Sequence, residues 1–164
     1  MEGKKVTLHY FGLNGLGALA RILLKYGNIE FEDKRYNSED WALARDKFDF
    51  KFMPVLEVDG VQYSQSLAVF VYIARKIGNL FGKSDEDEQA ILSVITTWGD
   101  FGGPKVYNIV WPAGVNATPE KIKENTEILI QSVVKVAQGF EKLYTRQGSG
   151  KYFLGNTLSL ADFY

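Results

Sequence analysis

The chain has 164 residues, 46% apolar and 24% charged, with 19 basic against 20 acidic side chains and a net charge of −1. That is the balance of a folded protein of one domain or two small ones, and it supplies no overall field to attract nucleic acid or acidic lipid. The absence of cysteine excludes a disulfide scaffold, a thiolate zinc site, a CxxC redox centre and a cysteine nucleophile; the single histidine, His9, excludes clustered-histidine metal sites.

Lys4 and Lys5 ahead of an uncharged run to Ala20 imitate a secretory leader, but His9, Asn14 and the glycines interrupt that run, which reads better as a strand followed by a helix. No stretch approaches the ~18 apolar residues of a membrane span. The expected setting is therefore cytoplasmic, where the Asn116-Ala117-Thr118 sequon has no use.

Residues 5–11, rich in β-branched and aromatic side chains, predict a strand. Asn14 to Tyr26 predicts a helix, with Leu16, Leu19, Ala20, Leu23 and Leu24 on one face and Gly27 ending it. Residues 29–36 predict a second strand, parallel to the first through a right-handed crossover. Ser38 is placed as the cap of a short helix through Asp46. Residues 55–58 and 61–63, joined by Asp59-Gly60, predict an antiparallel hairpin. A helix follows from Gln65-Ser66 with Leu67, Phe70, Ile73, Ala74 and Ile77 inward.

Beyond Gly78 the chain reads as helical. The division predicted is 1–78 as a first domain, 79–84 as linker and 85–164 as a second. A helix from Asp85 toward Val110 is expected to break or kink at Gly102-Gly103-Pro104. Thr118-Pro119-Glu120 opens another, which continues through Phe140 and Leu143. Ser159-Leu160-Ala161-Asp162 resembles a capping box with little chain after it, which suggests a truncated sequence.

Four groups of residues bear on chemistry. Gly15-x-Gly17-x-x-Ala20 follows a strand and opens a helix, with Glu32 and Asp33 near the position of a ribose-binding carboxylate in dinucleotide sites. The Asp-Gly hairpin that comes next opposes a doubly wound sheet, and the alternative is that these glycines let the helix approach the sheet closely. Met53-Pro54 precedes a strand; proline there is usually structural, whereas a cis bond would turn the Met53 backbone outward to pair with an extended peptide. Gln65-Ser66 at a helix start is either plain capping or an anion site suited to a carboxylate. Tyr10 ends the first strand; it is either core or a hydroxyl able to donate to an anion. Alternation along the strand sends His9 to the opposite face, as a structural residue.

Together these residues resemble the glutathione transferase family, most closely the sigma class that includes haematopoietic prostaglandin D synthases and lens S-crystallins. The resemblance runs from Lys5 to Tyr164 and is carried by Tyr10-Phe11, Asp40-Trp41, Met53-Pro54-Val55-Leu56-Glu57-Val58-Asp59-Gly60, Gln65-Ser66-Leu67-Ala68 and the terminal Gly155-Asn156-x-x-Ser159-x-Ala161-Asp162-Phe163-Tyr164. It implies an α/β plus all-α fold, a thioredoxin-like N-terminal domain followed by an incomplete helical domain. It implies an enzyme of the tyrosine type that adds the glutathione thiolate to small hydrophobic electrophiles, in a homodimer. A glutathione-dependent prostaglandin isomerase and a non-catalytic, S-crystallin-like binding protein are the alternatives.

By position, the resemblance makes Tyr10 the donor to the thiolate, and Met53 with a cis Pro54 the backbone partner of the cysteinyl residue. Gln65 and Ser66 would hold the γ-glutamyl carboxylate, and Trp41 and Arg45 would approach the glycine end. Asp100 would reach the γ-glutamyl amine in the neighbouring subunit; Phe11 and Leu13 would rim the electrophile pocket. The chain departs from the pattern at Asn14 and Leu16, where the class carries arginines, one of which polarises the tyrosine; their loss implies weaker thiolate activation. It departs again at Phe52, with Lys51 one position early, which affects a contact to the glycine carboxylate.

Overall fold

The computed structural model describes residues 1, 3–102 and 118–164. They form two compact units, Met1–Leu80 and Phe81–Tyr164.

The first unit is built on a four-stranded mixed sheet. Strand β1 is Val6–Phe11, helix α1 Gly15–Tyr26, β2 Glu32–Tyr36, α2 Ser38–Ala44, β3 Val55–Val58, β4 Val61–Ser64 and α3 Ser66–Ile77; the order across the sheet is β2-β1-β3-β4. β1 and β2 are parallel, joined by α1, while β1–β3 and β3–β4 are antiparallel. This is the thioredoxin-like arrangement. The hairpin turn holds Asp59 and Gly60 at φ 50° and 82°, the left-handed region that Asp-Gly turns tolerate.

Leu8, Leu23, Leu24, Leu56, Phe70 and Ile73 are fully buried, each contributing roughly 1.5–3 kcal/mol by removal from water. On the opposite face, Trp41, Ala44 and Met53 pack on a second cluster of Tyr36, Phe48 and Val55.

Leu16, expected on the inward face of α1, is 53% exposed, and the bounds of two elements also differ from the sequence expectation. β2 begins at Glu32 rather than Ile29, because its pairing with β1 starts at Thr7↔Glu32. The cap of α2 is Asn37, whose side chain accepts from the Asp40 N–H at 2.8 Å, and Ser38 is the first helical residue; the helix ends at Ala44 and passes into a 3-10 turn at Arg45–Lys47.

The second unit is helical. Helix α4 is Asp85–Gly102 and α5 is Pro119–Arg146. Thr118 caps α5 by accepting from the Lys121 N–H, as its sequence predicts. The break expected at Gly102-Gly103-Pro104 and the sequon at Asn116-Ala117 lie at or outside the limit of the described residues. Ser159 and Asp162 make a complete capping box on a 3-10 turn, Leu160–Phe163. Among the described residues no helix is long and apolar enough to cross a membrane.

Candidate functional site

Strand register brings the segments carrying Tyr10, Phe11, Met53, Pro54, Gln65 and Ser66 to one end of the sheet. The β1–β3 pairing reaches His9↔Val55 and the β3–β4 pairing reaches Val55↔Ser64. Tyr10 and Phe11 follow His9 on β1, Met53 and Pro54 immediately precede Val55, and Gln65 and Ser66 immediately follow Ser64, so all three pairs lie just past this common end of the ladder. On the other side Phe11 pairs with Tyr36, directly ahead of α2 and Trp41. Thus segments distant in sequence meet where β1 and β2 end and β3 begins.

Tyr10 is 7% exposed, and its ring faces α1. A Cβ on Gly17 would lie 2.3 Å from the Tyr10 ring, and one on Gly15 2.7 Å from its hydroxyl. The two glycines therefore make room for Tyr10, and the dinucleotide reading is corrected. The carboxylates it needed are engaged elsewhere: Asp33 with Arg21 and Arg35, Glu32 with the Thr7 hydroxyl.

The Tyr10 hydroxyl oxygen accepts from the backbone N–H of Leu16 at 3.0 Å. Leu16 is in the first turn of α1, where N–H groups have no intrahelical acceptor and the helix dipole is positive. With its oxygen accepting this N–H, the hydroxyl keeps its own hydrogen for another acceptor. An argument from side chains alone misses it, because the donor at this departure from the family pattern is main chain.

Arg21 was also missed. Its side chain is 11% exposed, and it donates to the carbonyls of Phe11 (3.2 Å) and Leu13 (2.9 Å) and to Asp33 (3.1 Å). Its guanidinium carbon lies 5.7 Å from the Tyr10 ring centroid. One buried cation thus fastens the β1–α1 loop and approaches the tyrosine. A charge within an otherwise apolar helix run was the available signal.

The remaining candidates divide into groups. Phe11 contacts Tyr10 and Trp41 edge-on, at 5.8 and 6.2 Å between centroids. Trp41 packs with Met53 on the second cluster. The Met53–Pro54 bond is cis. Gln65 has φ 73° and ψ 121°, a sparsely populated conformation for a residue with a side chain, and no side chain caps α3 there; plain capping does not describe it. Leu13 and Arg45 are exposed. Lys51 pairs with Asp46 at 2.7 Å and holds that carboxyl below its ordinary range, while Phe52 is exposed. Asp100 is exposed near the end of α4, in the second unit.

The second unit holds its own cavity of about 540 Å³, walled by Trp98, Phe140, Tyr144, Tyr152 and Phe153 among others. None of the candidate residues lines it. Among the described residues no group of three or more His, Asp or Glu side chains is placed to hold a metal.

The comparisons agree with this architecture. The family profile described as glutathione S-transferase, N-terminal domain, matches residues 6–75, and that of the C-terminal domain matches residues 109–164. Glutathione S-transferase 3 of Caenorhabditis elegans is 33% identical over 156 residues, covering 94% of this chain and 74% of that one. The haematopoietic prostaglandin D synthase of Gallus gallus is 32% identical over 164 residues, covering 100% and 76%. Among solved structures, the glutathione S-transferase of Ascaris lumbricoides superimposes with a TM-score of 0.82 at 31% identity, covering 97% of this chain and 76% of that one. A structure described as a monomeric glutathione S-transferase of Necator americanus gives 0.84 at 25%, covering 98% and 77%. The chain belongs to the glutathione S-transferase family.

Proposed function

We propose that this chain conjugates glutathione to small hydrophobic electrophiles by tyrosine-type activation, as a sigma-like detoxification enzyme of the cytoplasm, the compartment that keeps its thiol co-substrate reduced. The observation that carries the reading is the Tyr10 hydroxyl. It sits at the sheet end shared with Met53, Pro54 and Gln65, and accepts the Leu16 N–H, so that its own hydrogen is left to donate.

In this reading the tripeptide lies along the end of β3. Met53 pairs with the cysteinyl backbone, Gln65 and Ser66 hold the γ-glutamyl carboxylate, and Trp41 and Arg45 approach the glycine end. The sulfur then reaches Tyr10. A hydrogen bond to a charged sulfur is worth roughly 1.5–3 kcal/mol. At ~1.36 kcal/mol per pH unit, this brings a thiol that titrates near 8.5 down by about one to two units. Phe11 and Leu13 rim the place from which the electrophile arrives. Leu16 N–H and Arg21 together offset the arginines absent at positions 14 and 16, which favours an enzyme over a non-catalytic binding protein. The pairing of Asp100 with the γ-glutamyl amine across a homodimer belongs to the same reading.

The test is calorimetric titration with glutathione, together with turnover of chlorodinitrobenzene, on the chain and on Tyr10→Phe. Micromolar to millimolar binding, with a rate that depends on the hydroxyl, is expected. Binding without Tyr10-dependent turnover would leave only a binding protein; no binding would end the proposal. An assay of prostaglandin D synthesis, run in parallel, separates conjugation from the activity for which the avian relative is named.

A further inference from the structure

One buried ionisable group has no part in the reading above. His9 is 6% exposed, on the face of β1 opposite Tyr10, and its Nδ1 lies 2.9 Å from the Tyr36 hydroxyl. Its Nε2 has no hydrogen-bond partner among the described residues; Glu57 Oε2 is 3.7 Å away. One tautomer suits both nitrogens. Tyr36 donates its O–H to Nδ1, and Nε2 carries the ring hydrogen toward the carboxylate; the reverse would aim a lone pair at Glu57. Burial, with Glu32 and Glu57 nearby, raises the Tyr36 hydroxyl above its ordinary range and keeps it a donor.

This pair underlies α2. The helix has seven residues, none fully buried, and is too short to hold its shape alone. Trp41 and Ala44 seat it on the cluster of Tyr36, Phe48 and Val55, and Met53 packs against the same cluster. The Tyr36 ring meets Trp41 edge-on at 5.8 Å, and the His9 ring lies against both Tyr36 (6.0 Å) and Phe48 (5.0 Å). Apolar burial is non-directional, and edge-on ring contacts tolerate rotation of the ring in its plane. The hydrogen bond between His9 and Tyr36 is directional, and it selects one arrangement of the seat.

We infer that the His9–Tyr36 hydrogen bond is a positioning device for glutathione: by fixing the Tyr36 ring, which Trp41 meets edge-on and which belongs to the cluster Met53 packs against, it sets affinity for the tripeptide without touching it. The inference rests on the glutathione-binding reading above. It separates two functions on the two faces of one strand, with Tyr10 acting on rate and His9 on binding.

The experiment compares Tyr36→Phe, which keeps the ring, His9→Val, which removes the acceptor, His9→Asn, which restores an acceptor oxygen, and the Tyr36→Phe/His9→Val double variant. Glutathione affinity is read by calorimetry, kcat and KM with chlorodinitrobenzene, and folding by circular dichroism. Tyr36→Phe and His9→Val are expected to raise Kd and KM for glutathione about five- to tenfold, the loss of one buried hydrogen bond, with kcat within about twofold. The double variant is expected to be no worse than either single one, and His9→Asn to recover most of the affinity. A folded Tyr36→Phe with unchanged Kd, a loss falling equally on kcat, or additive effects in the double variant would overturn the inference. Should His9→Val fail to fold, Tyr36→Phe against His9→Asn still decides. A chain that binds glutathione while its variants match it refutes only this inference, whereas a chain that binds none refutes the functional proposal beneath it.

Discussion

Tyr10 depends on what its neighbours lack as much as on what they offer. Gly17 has no Cβ because one would stand 2.3 Å from the phenol ring. Gly17→Ala must push the ring, the helix or both, and overpacking of this kind costs about 1–3 kcal/mol. A thermal melt is expected to show that loss, and turnover to fall with it as the hydroxyl leaves the Leu16 N–H. Removing only the hydroxyl tests the chemistry more cleanly. Tyr10→Phe is expected to lower kcat by about 10–150-fold, the rate equivalent of one charge-assisted hydrogen bond, with glutathione affinity little changed. Steady-state kinetics read the two effects apart.

At the scale of the element, caps and turns organise the units. Asp162 accepts from the Ser159 N–H, the Ser159 hydroxyl and the Phe153 N–H, at 2.8, 2.9 and 2.7 Å, while Ser159 is wholly buried. Asp162→Ala removes a cap and leaves buried donors without partners; a loss of about 1–3 kcal/mol in denaturant unfolding is expected, against a few tenths for an exposed carboxylate such as Glu124. Features of this kind were legible in sequence because their partners are near in sequence: the Asp59-Gly60 turn, Thr118 before Pro119, and Ser159 three residues before Asp162. The cap of α2 was placed one residue late because Asn37 and Ser38 are both good caps, and only backbone geometry chooses between them. The roles of Arg21 and of the His9–Tyr36 pair were not legible. Their partners are assigned by the crossover and by the parallel register of β1 with β2, which place residues 12 and 27 positions apart in contact. The Leu16 N–H belongs to the main chain and leaves no mark in the identity of the residue.

For the molecule as a whole, pH links the buried face of the sheet to stability. Burial lowers the His9 pKa below its ordinary 6.5, with Lys34 acting in the same direction and Glu57 and Glu32 opposing. Asp40 and Lys47 line the same concavity from the α2 side and Gln62 from β4. The unfolded chain therefore binds a proton in a range where the folded chain does not. Stability from this group is fully present above about pH 6.5 and declines as pH falls toward the folded value, levelling off once the folded ring is also charged. Thermal midpoints are expected to drop over that interval and to flatten in His9→Asn; an identical slope in the variant would assign the effect to other groups.

The central claim is that the phenol of Tyr10 stabilises a sulfur anion. It is tested most directly by titrating the ultraviolet absorbance of the thiolate of bound glutathione against pH, in the chain and in Tyr10→Phe. The account predicts a bound thiol that ionises about one to two pH units below free thiol, and a return toward the free value when the hydroxyl is removed. The same titration curve in both proteins would contradict it.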